Sequence, residues 1–214
     1  MTKEIVVVGA GGFGRETLDV IEAINATGDG PIWHVVGVVD DSPAENQLKR
    51  IGARGYEYLG NSVGVTESRS PAQFTIGIGS PSVRAYLAKT FEDAGWVPET
   101  LVHPTANIGS HTMLGAGSVV CGGVQLSTNA QLGRYVHLNP AAVIGHDSTL
   151  GDFVSVNPGA IVSGEVKVGR RSLIGAGAVI LQGLSIGEET IVGASACVTR
   201  NILGHAIVKG VPAR

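Results

Sequence analysis

The chain has 214 residues, of which 32 are Gly, and it carries a formal net charge of -3 with a pI of about 6.0. This balance excludes the basic surface that nucleic-acid binding needs, and no apolar run is long enough for a signal peptide or a membrane span. The two cysteines are too few for a disulfide framework, so we expect free thiols in a cytoplasmic protein that binds neither nucleic acid nor membrane.

The first predicted elements form a small parallel α/β domain. Residues 5–8 are a continuous apolar run, typical of a buried parallel strand. A glycine-rich loop follows, and then a helical pattern with apolar residues at Leu18, Ile21 and Ile24. Two further strands are predicted at 34–39 and 74–78, with an irregular Gly-rich stretch between them. A helix predicted at 82–94 ends the pattern. The sequence therefore predicts a Rossmann-like half domain over residues 1–98.

The glycine-rich loop has the spacing of a dinucleotide-binding fingerprint. Gly9, Gly11 and Gly14 lie between a predicted strand and a predicted helix, and Asp40 and Asp41 end the next strand. Backbone N–H groups at the start of such a helix would face a phosphate. A nucleotide-linked ligand, a dinucleotide such as NAD, and glycines kept only for a tight turn all remain open. The domain has the size of one mononucleotide half, which favours the first.

The second half of the chain is dominated by a six-residue repeat. Every sixth residue from Ile108 to Val198 is aliphatic, and neither a helix nor an ordinary strand would keep that register. A fixed period of six predicts a β-helix, here over residues 99–214. Gly or Asn follows most of the aliphatic residues, so we expect corners with positive φ there. Small or β-branched residues two positions earlier predict a second, narrower inward position.

His146 and Asp147 are the leading catalytic candidates in the repeat. Asp147 would bind one ring nitrogen of His146 and leave the other basic. If three strands make one coil, residues 18 apart stack about 4.8 Å from each other, which puts Gly164 over His146. A glycine there leaves room beside the imidazole and a backbone N–H for a developing oxyanion. A surface histidine beside a surface aspartate, without a catalytic role, remains the alternative.

The other histidines are weaker candidates. His111, His137 and His205 occupy repeat or tail positions without an obvious acidic neighbour in the sequence. A zinc site needs at least three converging ligands, and the spacings among His111, His137 and His146 are not multiples of 18. We expect no metal, and a zinc lyase of the carbonic anhydrase kind is kept only as a rival enzyme class.

Several motifs together carry a family resemblance. They are the glycine-rich loop, Asp40-Asp41, His103-Pro104, the stretch 138–147 and the closing stretch 209–214. In these the chain resembles the hexapeptide-repeat acyltransferases of the sialic acid O-acetyltransferase type, which include bacterial nucleotide-aminosugar N-acetyltransferases. The resemblance implies a left-handed β-helix assembled as a homotrimer, with active sites between subunits. It also implies direct transfer of acetyl from acetyl-CoA to a sugar, without a covalent intermediate.

The resemblance assigns roles to individual residues. It implies that His146 is the general base, that Asp147 raises its basicity, and that the Gly164 N–H meets the thioester carbonyl. The positions that line the acetyl-CoA site are matched by Ser155, Ala176 and Ala194. The positions that hold the nucleotide-linked sugar are matched by Gly11, Gly12, Phe13, Asp40 and Asp41.

Two residues depart from the family pattern. Phe13 stands where many relatives have a histidine in the first loop, and Ser155 stands where some relatives have one. Phenylalanine cannot transfer a proton. These departures leave the predicted reaction class unchanged, but they leave the identity of the acceptor undetermined. We predict an acetyl-CoA-dependent acetyltransferase acting on the amino group of a nucleotide-linked sugar. The alternatives are a sugar O-acetyltransferase, a non-catalytic trimeric module that binds nucleotide-sugar, and an NAD-dependent oxidoreductase.

Overall fold

A computed structural model describes residues 2–28 and 30–214. The chain divides into two units, Met1–Pro104 and Thr105–Arg214. The predicted order, an α/β half domain followed by a left-handed parallel β-helix, is confirmed. In the part of the chain that the structure describes, no helix combines the length and the apolar character needed to cross a lipid bilayer.

The first unit is built on a parallel sheet with the strand order β3-β2-β1-β4-β5. Its strands are β1 (Lys3–Val8), β2 (Trp33–Val39), β3 (Tyr58–Gly60), β4 (Gln73–Ile76) and β5 (Val97–Pro98), and a further short strand is β6 (Leu101–Val102). Its helices are α1 (Gly12–Asn25), α2 (Glu45–Gly52), α3 (Ser62–Ser68) and α4 (Pro81–Asp93). The predicted strands and helices of the small parallel domain are all present.

Close backbone contacts fix α1 against the sheet. The central strand β1 is buried over residues 5–8, as its continuous apolar run predicts. A Cβ added to Gly77 would lie 2.5 Å from the Cα of Gly14, and one added to Gly9 would lie 2.7 Å from the Gly77 carbonyl oxygen. The glycines are therefore needed for strand–helix packing, whatever the loop binds.

The stretch predicted to be irregular contains α2, β3 and α3, so that prediction was wrong. These elements bury little apolar surface: Ile51 is the buried residue of α2, and Ser62 and Val65 are those of α3. Asn61 caps α3, with its side chain accepting from the Gly64 N–H at 2.7 Å. Short elements with so few apolar residues give no clear period in the sequence.

The second unit is a three-sided parallel β-helix of two-residue strands. Face one consists of β7 (Asn107–Ile108), β10 (Gln125–Leu126), β13 (Val143–Ile144), β16 (Ile161–Val162), β19 (Val179–Ile180) and β22 (Cys197–Val198). Face two consists of β8 (Met113–Leu114), β11 (Gln131–Leu132), β14 (Thr149–Leu150), β17 (Lys167–Val168) and β20 (Ser185–Ile186). Face three includes β9 (Val119–Val120), β12 (His137–Leu138), β15 (Ser155–Val156), β18 (Leu173–Ile174), β21 (Ile191–Val192) and β23 (Ile207–Val208).

The aliphatic column forms the core of the prism. Strands on one face pair with residues 18 positions apart directly opposite each other, as three strands per coil require. The aliphatic residues from Val120 to Val198 are at most 5 % exposed. Residues of the second inward position, such as Ser118, Ala142 and Ser148, are also fully buried, which confirms the predicted narrow position. The repeat ends with a shorter coil, in which Ile191 pairs with Ile207.

The predicted location of the corners was wrong. Positive φ occurs three residues after each aliphatic residue from Ile108 to Val192, as at His111 and Asp147, and not at the glycine that directly follows it. That glycine is required for close packing between coils: a Cβ on Gly109 would lie 2.6 Å from the backbone of both Ser127 and Thr128. The sequence alone does not show whether a glycine is needed for positive φ or for close packing between coils.

Candidate active site

The predicted catalytic pair lies at the corner between faces one and two, in the turn from β13 to β14. His146 Nδ1 lies 2.7 Å from Asp147 Oδ2, and the two side chains are 57 % and 47 % exposed. Hydrogen bonds from His146 and from Asn129 lower the pKa of the Asp147 carboxyl. An ionised carboxylate only accepts hydrogen bonds, so the proton of a neutral His146 ring lies on Nδ1, which leaves the lone pair on Nε2. The geometry gives an accessible, oriented imidazole base.

Hydrogen bonds to the coils on both sides hold this corner. The Asp147 N–H donates to the Thr128 carbonyl at 3.1 Å, and the His146 carbonyl accepts from the Glu165 N–H at 2.8 Å. Asp147 itself adopts φ of 59°, a conformation that Asp tolerates better than most residues. The imidazole is therefore presented by a rigid backbone rather than by a mobile loop.

Asn129 is a residue of the site that sequence reasoning missed. It lies one coil before Asp147 at the same corner, and its Nδ2 donates to Asp147 Oδ1 at 2.9 Å. Both carboxylate oxygens of Asp147 are thereby engaged, one by Asn129 and one by His146. The signal was available, because the 18-residue stacking that connects His146 with Gly164 also connects Asp147 with Asn129.

Gly164 lies beside the imidazole. A Cβ added to Gly164 would approach His146 Nε2 to 2.6 Å and Cε1 to 2.7 Å, so any larger residue would displace the ring. Within residues 2–28 and 30–214, the Gly164 N–H donates no hydrogen bond. A backbone donor without an acceptor next to a histidine base is the arrangement that an oxyanion site needs.

The residues predicted to line the acetyl-CoA site are not brought to His146 within one chain. Ser155 is buried on face three, between His137 and Leu173 in register. Ala176 and Ala194 lie at the corner between faces three and one. Their assignment to acetyl-CoA binding stays a prediction.

A groove adjoins His146 on face one. It is a cavity of about 320 Å³ whose lining includes Asn107, Gln125, Ser127, Val143 and His146. Asn107, Gln125 and Val143 lie directly opposite one another in the strand register. The groove therefore extends from the base toward the first coils of the β-helix.

The predicted nucleotide-sugar residues lie in the first unit. Asp40 accepts hydrogen bonds from the Ala10 N–H at 2.8 Å and the Ser42 N–H at 3.0 Å, and Asp41 accepts from the Ser62 N–H at 2.7 Å. Both carboxylates thus order the loops at the carboxyl edge of the sheet, a role that the sequence did not predict.

A cavity of about 210 Å³ opens at this edge. It is lined by Asp40, Asp41 and Ser42 after β2, by Val8 of β1, and by Ile78 after β4. Ligands of parallel α/β sheets bind at the carboxyl ends of the strands where the strand order reverses, which here is between β1 and β4.

The other predicted residues of this region lie at the start of α1. Gly11 is the N-cap residue of α1, and Gly12 is the first residue of the helix. No side chain caps the start of this helix. Phe13 is half-buried beside them, and its carbonyl accepts from Thr17 Oγ1 at 2.8 Å.

Arg84 is a buried cation behind this cavity that sequence reasoning also missed. Its side chain is fully buried in α4, and Nη1 donates to the Ile78 carbonyl at 2.7 Å and the Gly79 carbonyl at 3.3 Å. Burial lowers the pKa of the Arg84 guanidinium to about 9, so the group stays charged at neutral pH. Nothing in the sequence distinguishes it from an exposed arginine on a helix.

The remaining histidines and cysteines form no second centre in the described parts of the chain. No group of three or more His, Cys, Asp or Glu residues there is placed to hold a metal ion. His205 has no acidic neighbour in the sequence, but in the structure its Nδ1 lies 3.3 Å from Glu189 and its Nε2 lies 3.7 Å from Glu188. Cys121 and Cys197 form no disulfide.

Two family models match the chain. The PglD N-terminal domain covers residues 4–91, and the bacterial transferase hexapeptide model, with six repeats, covers residues 147–182. The chain therefore combines a PglD N-terminal domain with bacterial transferase hexapeptide repeats. The family resemblance predicted from the sequence motifs is thereby confirmed.

Characterised relatives of this family are similar to the chain. GDP-perosamine N-acetyltransferase of Escherichia coli O157:H7 is 32% identical over 141 residues, which are 66% of this chain and 61% of that protein. The chain therefore matches about three fifths of the length of this curated relative.

Solved structures of relatives match over nearly the whole chain. A histidine-to-asparagine variant of perosamine N-acetyltransferase from Caulobacter crescentus, in complex with CoA and GDP-perosamine, has a TM-score of 0.86 and 26% identity, with 99% of this chain and 95% of that chain covered. The acetyltransferase domain of PglB from Neisseria gonorrhoeae has a TM-score of 0.86 and 27% identity, with 100% and 99% covered.

Proposed function

We propose that the protein is an acetyl-CoA-dependent N-acetyltransferase that acylates the amino group of a nucleotide-linked sugar. The observation that carries the proposal is the oriented base His146, with Gly164 beside its Nε2. Relatives in complex with CoA and GDP-perosamine support this choice of substrates.

The geometry supports a direct transfer. The sugar amine attacks the thioester carbonyl carbon and forms a C–N bond, while His146 Nε2 takes the proton that the nitrogen loses. The Gly164 N–H stabilises the negative charge on the carbonyl oxygen. The C–S bond then breaks, and the protonated imidazole returns its proton to the leaving CoA thiolate. Asp147, kept ionised by its hydrogen bonds, stabilises the imidazolium in between.

We propose that the first unit binds the nucleotide. The polar residues of the cavity at the carboxyl edge of its sheet are Asp40, Asp41 and Ser42, and carboxylates accept hydrogen bonds from ribose hydroxyls or base N–H groups. Gly11, Gly12 and Phe13 at the start of α1 would face the phosphates through backbone N–H groups.

We also propose a homotrimer. Within one chain, Ser155, Ala176 and Ala194 lie away from the corner that carries His146, so a shared acetyl-CoA needs a second copy to bring them together. Apolar side chains are exposed on faces one and three, among them Ile161 at 38 % and Ile191 at 42 %. Such a surface favours packing of one β-helix against the next. A cytoplasmic location fits the cysteines Cys121 and Cys197, which form no disulfide.

The test is a CoA-release assay with acetyl-CoA and a panel of acceptors. The panel contains GDP-perosamine, other nucleotide-linked 4-amino and 3-amino sugars, and free sialic acid. We expect turnover on an aminosugar by the wild-type protein and its loss in His146→Ala. Turnover on sialic acid alone would replace the N-acetyltransferase assignment with an O-acetyltransferase. No CoA release with any acceptor, and no acetyl-CoA binding by calorimetry, would overturn the proposal.

A further inference from the structure

The groove on face one has a polar segment on one side of His146 only. Its outward residues in the first coils are Asn107 and Gln125, both exposed. The outward residues in the following coils of face one lack charged or amide groups: Val143, Ile161, Val179 and Cys197. Among the outward strand residues of face one, amides therefore occur only in the coils that precede the base.

The two amides are ordered by each other. Asn107 Nδ2 donates to Gln125 Oε1 at 3.2 Å, and the residues are directly opposite in register. Gln125 Nε2 has one long contact, 3.4 Å to the Gly123 carbonyl. Each amide supplies both donors and an acceptor, so together they match the hydroxyl groups of a sugar ring. Leu126 and Ile144, which also line the groove, provide apolar contact.

Gly164 and the two amides lie on opposite sides of His146 along the β-helix. Gly164 is one coil after His146, whereas Gln125 is one coil and Asn107 two coils before the strand of Val143. If the Gly164 N–H binds the thioester oxygen, the acetyl group approaches Nε2 from the later coils. The nucleophile then reaches Nε2 from the earlier coils, where the amides lie.

We infer that this groove binds the acceptor sugar ring, and that Gln125 and Asn107 bind its hydroxyls and place the amine at His146 Nε2. The inference rests on the proposed function. The cavity of about 320 Å³ is at the lower end of the range for small-ligand sites, which suits one monosaccharide ring with its nucleotide outside the groove. Gln125 is then a residue that determines acceptor specificity.

The chain offers a matched control for Gln125. Gln131 is the same residue type at the equivalent repeat position on face two, and it is exposed and outside the groove. The experiment compares wild type, Gln125→Leu and Gln131→Leu in steady-state kinetics with acetyl-CoA. The acceptors are GDP-perosamine, or a panel member that the wild type turns over faster, and analogues of it that each lack one ring hydroxyl. Thermal denaturation verifies that each variant is folded.

We expect Gln125→Leu to lower kcat/KM for the complete sugar by about 2- to 12-fold, the effect of one neutral hydrogen bond. The KM for acetyl-CoA should stay unchanged. Gln131→Leu should have the wild-type kcat/KM for the sugar and the wild-type KM for acetyl-CoA. For one of the deoxy analogues, wild type and Gln125→Leu should have the same kcat/KM, because the hydroxyl that the amide binds is absent. Asn107→Leu should change the sugar kinetics in the same direction.

Two results would overturn the inference while leaving the proposed function intact. The first is that the wild type is active and that Gln125→Leu has the same kcat/KM for the sugar as Gln131→Leu. The other is a Gln125→Leu variant in which KM rises for acetyl-CoA and not for the sugar. Absence of turnover by the wild type on every aminosugar would overturn the proposed function, and the inference with it.

Discussion

Asn129 and Asp147 are joined across neighbouring coils by a hydrogen bond of 2.9 Å, from Nδ2 to Oδ1. The other oxygen of Asp147 lies 2.7 Å from His146 Nδ1. Asn129 therefore acts on the imidazole through the carboxylate and does not itself contact it. The pair also explains why an exposed aspartate with φ of 59° has a fixed side chain.

Asn129→Leu should reduce kcat by about 2- to 12-fold, because one hydrogen bond that orients Asp147 is lost. Asp147→Asn should be more harmful, since it removes the charge that stabilises the imidazolium. Steady-state rates across pH 5 to 9 measure both effects, with Gln131→Leu as the control. A kcat for Asn129→Leu equal to that of the control would show that Asp147 needs no second partner.

Gly164→Ala should lower kcat by about 100-fold, because the new Cβ would lie 2.6 Å from His146 Nε2 and displace the ring from its productive position. The φ of Gly164 is not in the left-handed region, so the backbone accepts alanine and folding should persist. Gly52→Ala is the control, since a Cβ there meets nothing within 4 Å. Wild-type turnover in Gly164→Ala would refute the assigned position of the reacting groups.

Gly109→Ala should destabilise the protein although its φ is not positive. Its Cβ would lie 2.6 Å from backbone atoms of the next coil, and overpacking of this kind costs about 1–3 kcal/mol. Gly183→Asn should be nearly neutral, because Gly183 has φ of 69° with open space around it and asparagine tolerates that conformation. Urea unfolding of both variants provides the comparison. Equal stability of the two would contradict the packing explanation.

The Arg170–Glu188 pair should give a pH-dependent contribution to stability. Arg170 Nε donates to Glu188 Oε2 at 2.5 Å, and this hydrogen bond lowers the pKa of the Glu188 carboxyl below its ordinary 4.5. A lowered folded-state pKa stabilises the fold above the ordinary value, and the effect is lost as pH falls through the folded value. The Tm difference between wild type and Glu188→Gln should thus be present above pH 4.5 and vanish at lower pH.

The control for this pair is Glu67→Gln, at an exposed position of α3. Melting curves of both variants from pH 3 to 7 show whether the change at Glu188 exceeds that caused by replacing an exposed glutamate elsewhere. Because the pair is exposed, the Glu188 effect should also shrink in 1 M salt. A Glu188 difference that persists unchanged at pH 3 would contradict the ion-pair account.

Periodicity made the β-helix predictable from the sequence. The spacing of the aliphatic column from Ile108 to Val198 depends only on the number of residues per coil, and that number is fixed by the packing of side chains inside the β-helix. The same stacking rule led to Gly164 beside His146 and would have led to Asn129. The functions of glycine were less predictable, because close approach at Gly109 and positive φ at Gly183 require the same residue.

Other features depend on contacts that one sequence does not encode. Arg84 is distinguished from a surface arginine by its burial and by its hydrogen bonds to the carbonyls of Ile78 and Gly79. The helices α2 and α3 bury too few apolar residues to produce a period. The roles proposed for Ala176 and Ala194 would depend on a neighbouring copy in the proposed trimer.

The most direct test of the central claim is the rate of acetyl transfer in a folded His146→Ala variant, measured at saturating acetyl-CoA and aminosugar. General-base catalysis contributes about 10²- to 10⁴-fold, and we predict that kcat falls by that factor while the Kd for acetyl-CoA, measured by calorimetry, remains that of the wild type. A His146→Ala variant that binds acetyl-CoA and turns over at a rate near the wild type would contradict the account.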